Sequence, residues 1–154
     1  MWIASSRPLG PAAAVLPLRF ILDTNVVVSG VLKPKGLERT ALTFSLTPPA
    51  SLYVSEAILA EYTEVLSRPE LRLPANERRL AMELIAGRSK LVVPTRKLEI
   101  SPDPDDNVFL ECAEAARADY LITGNTRHFP RYWRNTKIIN ARELLDVIAP
   151  HLPL

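Results

Sequence analysis

A chain of 154 residues with 47% hydrophobic and 23% charged content is long enough for one compact core and too short for two. Its net charge of +2 and pI of about 8.8 permit a polyanionic partner without demanding one. One cysteine, Cys112, excludes an intrachain disulfide and a cysteine-rich metal centre and makes a reducing, cytoplasmic compartment the expectation.

Residues 1–18 read as an irregular leader, broken by Pro8, Pro11 and Pro17 and carrying Arg7 as its one charge. Its apolar stretch, Ala12 to Leu16, is far too short to span a bilayer, and a single arginine makes a poor signal-peptide n-region, so no membrane association is expected. The folded domain is expected over residues 19–148, with 149–154 as a tail.

Arg19 to Leu22 and the branched run Val26 to Val28 predict a buried first strand ending near Asp23, with Gly30 and Pro34 in the loop that follows. An acid inside such an apolar run loses its hydration and needs a cation, a hydrogen-bond cradle, or both. Alone, Asp23 reads more simply as a turn cap helped by Thr24 and Asn25. A helix is predicted from Gly36 to Leu46, stopped by Pro48-Pro49, then a strand at Leu52 to Val54. Ser55 caps a helix from Glu56 to about Ser67. Its apolar stripe is Ile58, Leu59, Tyr62, Val65 and Leu66, and Glu61 sits at the edge of that stripe, a border residue or one that points into a cleft.

A further helix is predicted over Asn76 to Gly87, with Leu80, Ala81, Leu84 and Ile85 as its apolar face and Gly87 as its stop, then a strand at Leu91 to Val93. Ser101 to Asn107 is a turn of prolines and acids leading into a helix from Val108 to Arg117, on whose apolar side Cys112 falls. A cap favoured by the helix dipole explains one of Asp103, Asp105 and Asp106, not all of them. Asp106 shares a face with Phe109, Leu110 and Ala113, Asp105 falls near that face, and periodicity does not choose between them. A buried strand over Asp119 to Thr123 ends in the turn Gly124-Asn125. Arg127, His128, Arg131, Tyr132, Trp133 and Arg134 follow, a basic and aromatic mixture suited to a nucleic-acid backbone and stacked bases, or to core packing by the aromatics with the arginines solvated. A last strand, Lys137 to Ile139, precedes a C-terminal helix opened by Asn140 and Glu143 and closed by Pro150.

Strands alternating with helices predict a single α/β domain with a mainly parallel sheet, whose ligands gather at the carboxyl ends of the strands. Asp23 and Asn125 stand at such ends, Asp106 opens the helix before the Asn125 strand, and Glu61 can join from its helix edge. Converging carboxylates repel one another unless a cation neutralises them, and an oxygen-only set with no cysteine or histidine pair favours Mg²⁺ or Mn²⁺ over zinc.

In order, Leu22-Asp23-Thr24-Asn25-Val26, Ser55 with Glu61 and Val65-Leu66, Asp103-Pro104-Asp105-Asp106-Asn107, and Leu121-Ile122-Thr123-Gly124-Asn125 resemble the motifs of PIN-domain nucleases, above all the toxin components of toxin–antitoxin systems. The resemblance covers about Arg19 to Ile148. It implies a three-layer sandwich around the central sheet, and a metal-dependent ribonuclease whose acidic quartet binds Mg²⁺ or Mn²⁺. It places Asp23, Glu61 and Asp106 in that quartet and selects Asp106 over Asp105 by the family's spacing to a small helix residue, here Ala113. At the fourth position, where many relatives have Asp, this chain has Asn125, which contributes no charge.

The chemistry implied is in-line attack of an ion-activated water on an RNA phosphodiester. Asp23 and Asp106 would ligate directly, Glu61 would ligate through water or orient the nucleophile, and Asn125 would complete the shell. Thr24, Asn25, Thr123, Arg127 and His128 are candidates for substrate contact. The resemblance further implies a cognate antitoxin and a homodimer or higher oligomer. Rival expectations are a phosphatase of small phosphoesters, for which no Gly-rich phosphate loop appears, and a non-catalytic RNA- or protein-binding PIN domain, to which Asn125 lends weight.

Overall fold

The computed structural model describes residues 17–151. Most of the expected leader and the last residues of the tail therefore lie outside the described residues. Leu18 already belongs to the fold, because its carbonyl accepts the Ser51 amide at 3.0 Å and its side chain packs on the core.

The elements run β1 (Arg19–Leu22), α1 (Thr24–Leu32), α2 (Leu37–Ser45), β2 (Ser51–Val54), α3 (Glu56–Leu66), α4 (Ala75–Arg88), β3 (Lys90–Leu91), α5 (Pro104–Ala116), β4 (Tyr120–Ile122), β5 (Tyr132–Trp133), β6 (Thr136–Ile139) and α6 (Ala141–Ile148). They form one α/β domain around a six-stranded sheet of order β3-β2-β1-β4-β6-β5. All pairings are parallel except β5 with β6. Phe20 packs edge-on against Phe44 of α2, while its neighbour Arg19 reaches the Ala116 carbonyl of α5 at 3.0 Å. Successive residues of a strand point to opposite faces, so helices cover both sides of the sheet. Phe20, Ile21, Leu22, Leu52, Leu121 and Ile122 are fully buried between them.

The expected sheet and helices are present, with corrections. Val26 to Val28 are not strand but the first turns of α1: Asp23 caps this helix by accepting the Thr24 amide at 2.7 Å, and Val26 and Val27 bury against the core. Burial and a good cap outweigh the modest helix penalty of branched side chains. Gly87 does not stop α4, which runs to Arg88 and ends at Ser89. α5 starts at Pro104 rather than Val108, with Asp103 as its cap accepting the Asp105 amide at 3.0 Å; Pro at the first helical position costs no hydrogen bond. The Tyr132–Trp133 pair forms a short antiparallel edge strand that pairs with Thr136 and Lys137.

The strand expected at Leu91 to Val93 is the shorter pair Lys90–Leu91, while the caps hold where they were expected. Ser55 caps α3 by accepting the Ile58 amide at 3.2 Å, and Asn140 with Glu143 forms a capping box at α6. Cys112 is fully buried, and burial pushes its thiol up to about 12, which fits a core role. The apolar face read on α4 splits: Ile85 is 1% exposed, whereas Leu80 is 58% and Leu84 47% exposed. No described helix is long and apolar enough to cross a membrane.

Candidate active site

β1 sits between β2 and β4, so the chain winds away from β1 in both directions and leaves a crevice at the carboxyl ends of β1 and β4. The Asp23 amide, just past β1, donates to the Ile122 carbonyl of β4 at 2.9 Å, which ties the crevice shut beneath the carboxylate. Asp23 is 8% exposed. One carboxylate oxygen accepts the Thr24 amide, and the other accepts the hydroxyl of fully buried Thr123 at 2.7 Å. The Thr123 hydroxyl in turn accepts the Asn125 amide at 3.0 Å. Burial raises the Asp23 pKa, the Thr123 and Thr24 bonds pull it back, and the charge of Asp106 pushes it up again.

Glu61 comes from α3, and the Thr24 hydroxyl donates to its carboxylate. Its pKa is also raised, by burial first and then by the charges of Asp23, Asp105 and Asp106, against the opposing Thr24 bond. Next to it on α3, Tyr62 is fully buried and donates its hydroxyl to the Leu22 carbonyl, fastening α3 to the end of β1. Asp106 lies in the first turn of α5 with its side chain 15% exposed, whereas Asp105 is exposed. Burial and the neighbouring charge of Asp103 raise the Asp106 pKa, while His128 and the Ser101 hydroxyl lower it. Thr24 thus joins two of these acids, its amide reaching Asp23 and its hydroxyl Glu61, while Asp106 lies beside His128 and Ser101.

The other candidates divide. Asn125 is exposed in the turn after β4, where its carbonyl accepts the His128 amide at 2.9 Å. The exposed His128 ring stands with Nδ1 3.9 Å from Asp106, and Arg127 is exposed beside it. Asn25 spends its Oδ1 on the Gly124 amide at 3.1 Å, which links α1 to the β4 turn. Tyr132, Trp133 and Arg134 run away from the site: β5 pairs with the amino end of β6, opposite the strand ends that hold Asp23. There Arg134 lies over the Trp133 ring and shares Glu114 with Arg96.

One site residue escaped the sequence reading. Ser101 is 8% exposed, with Oγ 3.4 Å from Asp106 and 3.2 Å from the His128 carbonyl. Its signal was a serine opening a stretch of prolines and acids, which is ambiguous until the β4 turn is known to fold against it.

Among the described residues, no three His, Cys, Asp or Glu side chains stand close enough together to hold an ion as placed. The donor chemistry nevertheless fits a hard cation. The candidate groups are carboxylates, and burial first and nearby acids second raise the pKa of each, so a cation beside them would relieve that cost.

The sheet is mostly parallel with Asp23 at its switch point, and the chain belongs to the PIN-domain family, which it matches over residues 19–127. PIN domains are generally nucleases. An uncharacterized protein of Methanocaldococcus jannaschii, MJ1680, is 30% identical over 113 residues, covering 71% of this chain and 72% of that protein. The fold is similar to that in the crystal structure of VapBC2 from Rickettsia felis bound to a DNA fragment from their promoter, with a TM-score of 0.56 and 18% identity over 80% of this chain and 98% of that one.

Proposed function

We propose that this protein is a Mg²⁺- or Mn²⁺-dependent endoribonuclease and the toxin of a toxin–antitoxin pair. The observation that carries the reading is that, in a chain of the PIN-domain family, Thr24 just past β1 bonds both Asp23 and Glu61, with Asn125 tied to the same cluster through Thr123. Asp23 and Asp106 would hold the ion, with Glu61 and Asn125 beside them. When bound, such an ion supplies positive charge to the scissile phosphate and lowers the pKa of water towards neutrality. The chain's own contribution is to hold Asp23 by Thr123 and Glu61 by Thr24, while exposed Arg127 and His128 face an incoming phosphodiester.

An antitoxin is the proposed protein partner, by analogy with the VapBC2 complex. A groove of about 350 Å³ between α2 and α4, lined by Val31, Leu42, Leu46, Leu80, Leu84 and Ile85, offers such a partner an open apolar surface. A homodimer and a cytoplasmic location belong to the same reading.

The test is to incubate the purified protein with single-stranded RNA, single-stranded DNA and a small phosphoester, with Mn²⁺ and with chelator. Cleavage of RNA that needs Mn²⁺ and is lost in Asp23→Asn is the expected result. Binding of RNA without cleavage would favour a non-catalytic PIN domain, the reading to which the neutral Asn125 lends weight. Hydrolysis of the small ester alone would favour a phosphatase.

A further inference from the structure

We propose that Asn107 and Ser101 form a positioning pair for the acidic site. The buried Asn107 amide fixes the Ile100–Ser101 backbone, so that the Ser101 hydroxyl holds Asp106 and the turn carrying His128 in one bracket. The inference rests on the reading of Asp106 as a functional acid, and it assigns a role to two residues outside the acidic set.

Asn107 follows Asp106 directly and is 4% exposed. Its Oδ1 accepts the Ile100 amide at 3.0 Å and the Ser101 amide at 2.8 Å, and its Nδ2 donates to the Ser101 carbonyl at 3.0 Å. Both amide and carbonyl of Ser101 are thereby held by one side chain, as a strand neighbour would hold them, in a loop that has no strand partner there. A second tether lies a turn along α5, where Glu111 accepts the Leu98 amide at 2.9 Å.

The Ser101 hydroxyl sits at the junction of three segments. It accepts the Asp103 amide at 3.3 Å, and it has one proton to share between Asp106 Oδ2 at 3.4 Å and the His128 carbonyl at 3.2 Å. The start of α5 and the turn after β4 therefore meet at a single hydroxyl, and Asn107 sets where that hydroxyl stands. An acid at position 107 would keep the acceptor, lose the Nδ2 donor and add charge beside Asp103, Asp105 and Asp106; the amide gives three bonds without that repulsion. Neither residue need touch substrate, so this is positioning and not catalysis.

The test uses the full chain as Asn107→Ala, Ser101→Ala, Ser101→Thr and the Asn107→Ala/Ser101→Ala double variant. Mn²⁺ affinity is read by calorimetry, kcat and KM on single-stranded RNA, and melting temperature in parallel. Groups that orient metal-binding side chains typically contribute about 10–100-fold to affinity. Asn107→Ala and Ser101→Ala should each weaken Mn²⁺ binding within that range and lower kcat more than they raise KM. The double variant should be no worse than Asn107→Ala, and Ser101→Thr, which keeps the hydroxyl, should restore affinity. Melting temperatures that fall with Mn²⁺ affinity and kcat unchanged, or penalties that add in the double variant, would overturn the proposal. If Asn107→Ala does not fold, the contrast between Ser101→Ala and Ser101→Thr decides it. Wild-type protein that neither binds Mn²⁺ nor cleaves RNA removes the functional reading and the proposal with it, whereas an active wild type with indistinguishable variants removes the proposal alone.

Discussion

Asp23 carries two duties that pull against each other. As the cap of α1 it satisfies the Thr24 amide, and as a buried anion it costs the metal-free fold free energy. Asn is an equally good cap and can pair with Thr123, so Asp23→Asn should leave the fold intact and raise the melting temperature of the metal-free protein at neutral pH, because the buried charge is gone. Thermal melts check this, and RNA cleavage by the same variant should be lost. The pH dependence follows from the direction of the shifts. Folded pKa values above the ordinary 3.8 of Asp23 and Asp106 and 4.5 of Glu61 mean that their contribution is full below those values and is lost as pH rises through the raised ones. Metal-free wild type should therefore lose stability on this account as pH climbs from 4 towards neutrality, about as the unshifted carboxylates ionise, and Asp23→Asn should lose less.

Among the elements, α4 and α5 make contrasting predictions. On α4, Ile85 is in the core and Leu80 lies in an open groove, although the sequence gives them the same apolar face. Ile85→Ala should cost about 2–5 kcal/mol and Leu80→Ala less than about 1 kcal/mol, read by urea unfolding. On α5, Glu114 accepts from both Arg96 and Arg134, and with Arg96 as the larger influence these hold its pKa down to about 2. A depressed carboxylate stabilises the fold above its ordinary 4.5 and stops doing so as pH falls towards 2. Glu114→Gln should therefore melt lower than wild type at pH 6, and the gap should close as pH falls towards about 2; a gap independent of pH would contradict the ion-pair account.

For the molecule as a whole, the acids belong to segments far apart in the chain, so an ion that binds them binds only the folded state. Mn²⁺ at about 100 times its dissociation constant adds about 2.7 kcal/mol, or roughly 5–10 °C in melting temperature for a chain of this size. Asp23→Asn should show little of that shift. A wild-type melt unmoved by Mn²⁺ would argue against the metal site irrespective of any activity assay.

The order of elements was legible in the sequence because it rests on local causes: Pro48-Pro49 as a break, Ser55 and Asn140 as caps, and short apolar runs as strands. Asp23 stood out too, as a carboxylate in an apolar run, whereas Glu61 and Asp106 were singled out only by the resemblance to a family motif. The Val26 to Val28 run misled because β-branched residues carry a strand bias that one buried helix face outweighs, and only packing records the burial. Neither the exposure of Leu80 nor the path of Tyr132 and Trp133 away from the crevice has a local cause; both depend on which neighbours the sheet order supplies. The bracket at Ser101 is of the same kind. Its partners, Asp106 and the His128 carbonyl, come from either side of β4 and meet only when the parallel sheet closes, because a hydrogen bond between distant segments is decided by tertiary geometry and leaves no periodicity in the chain.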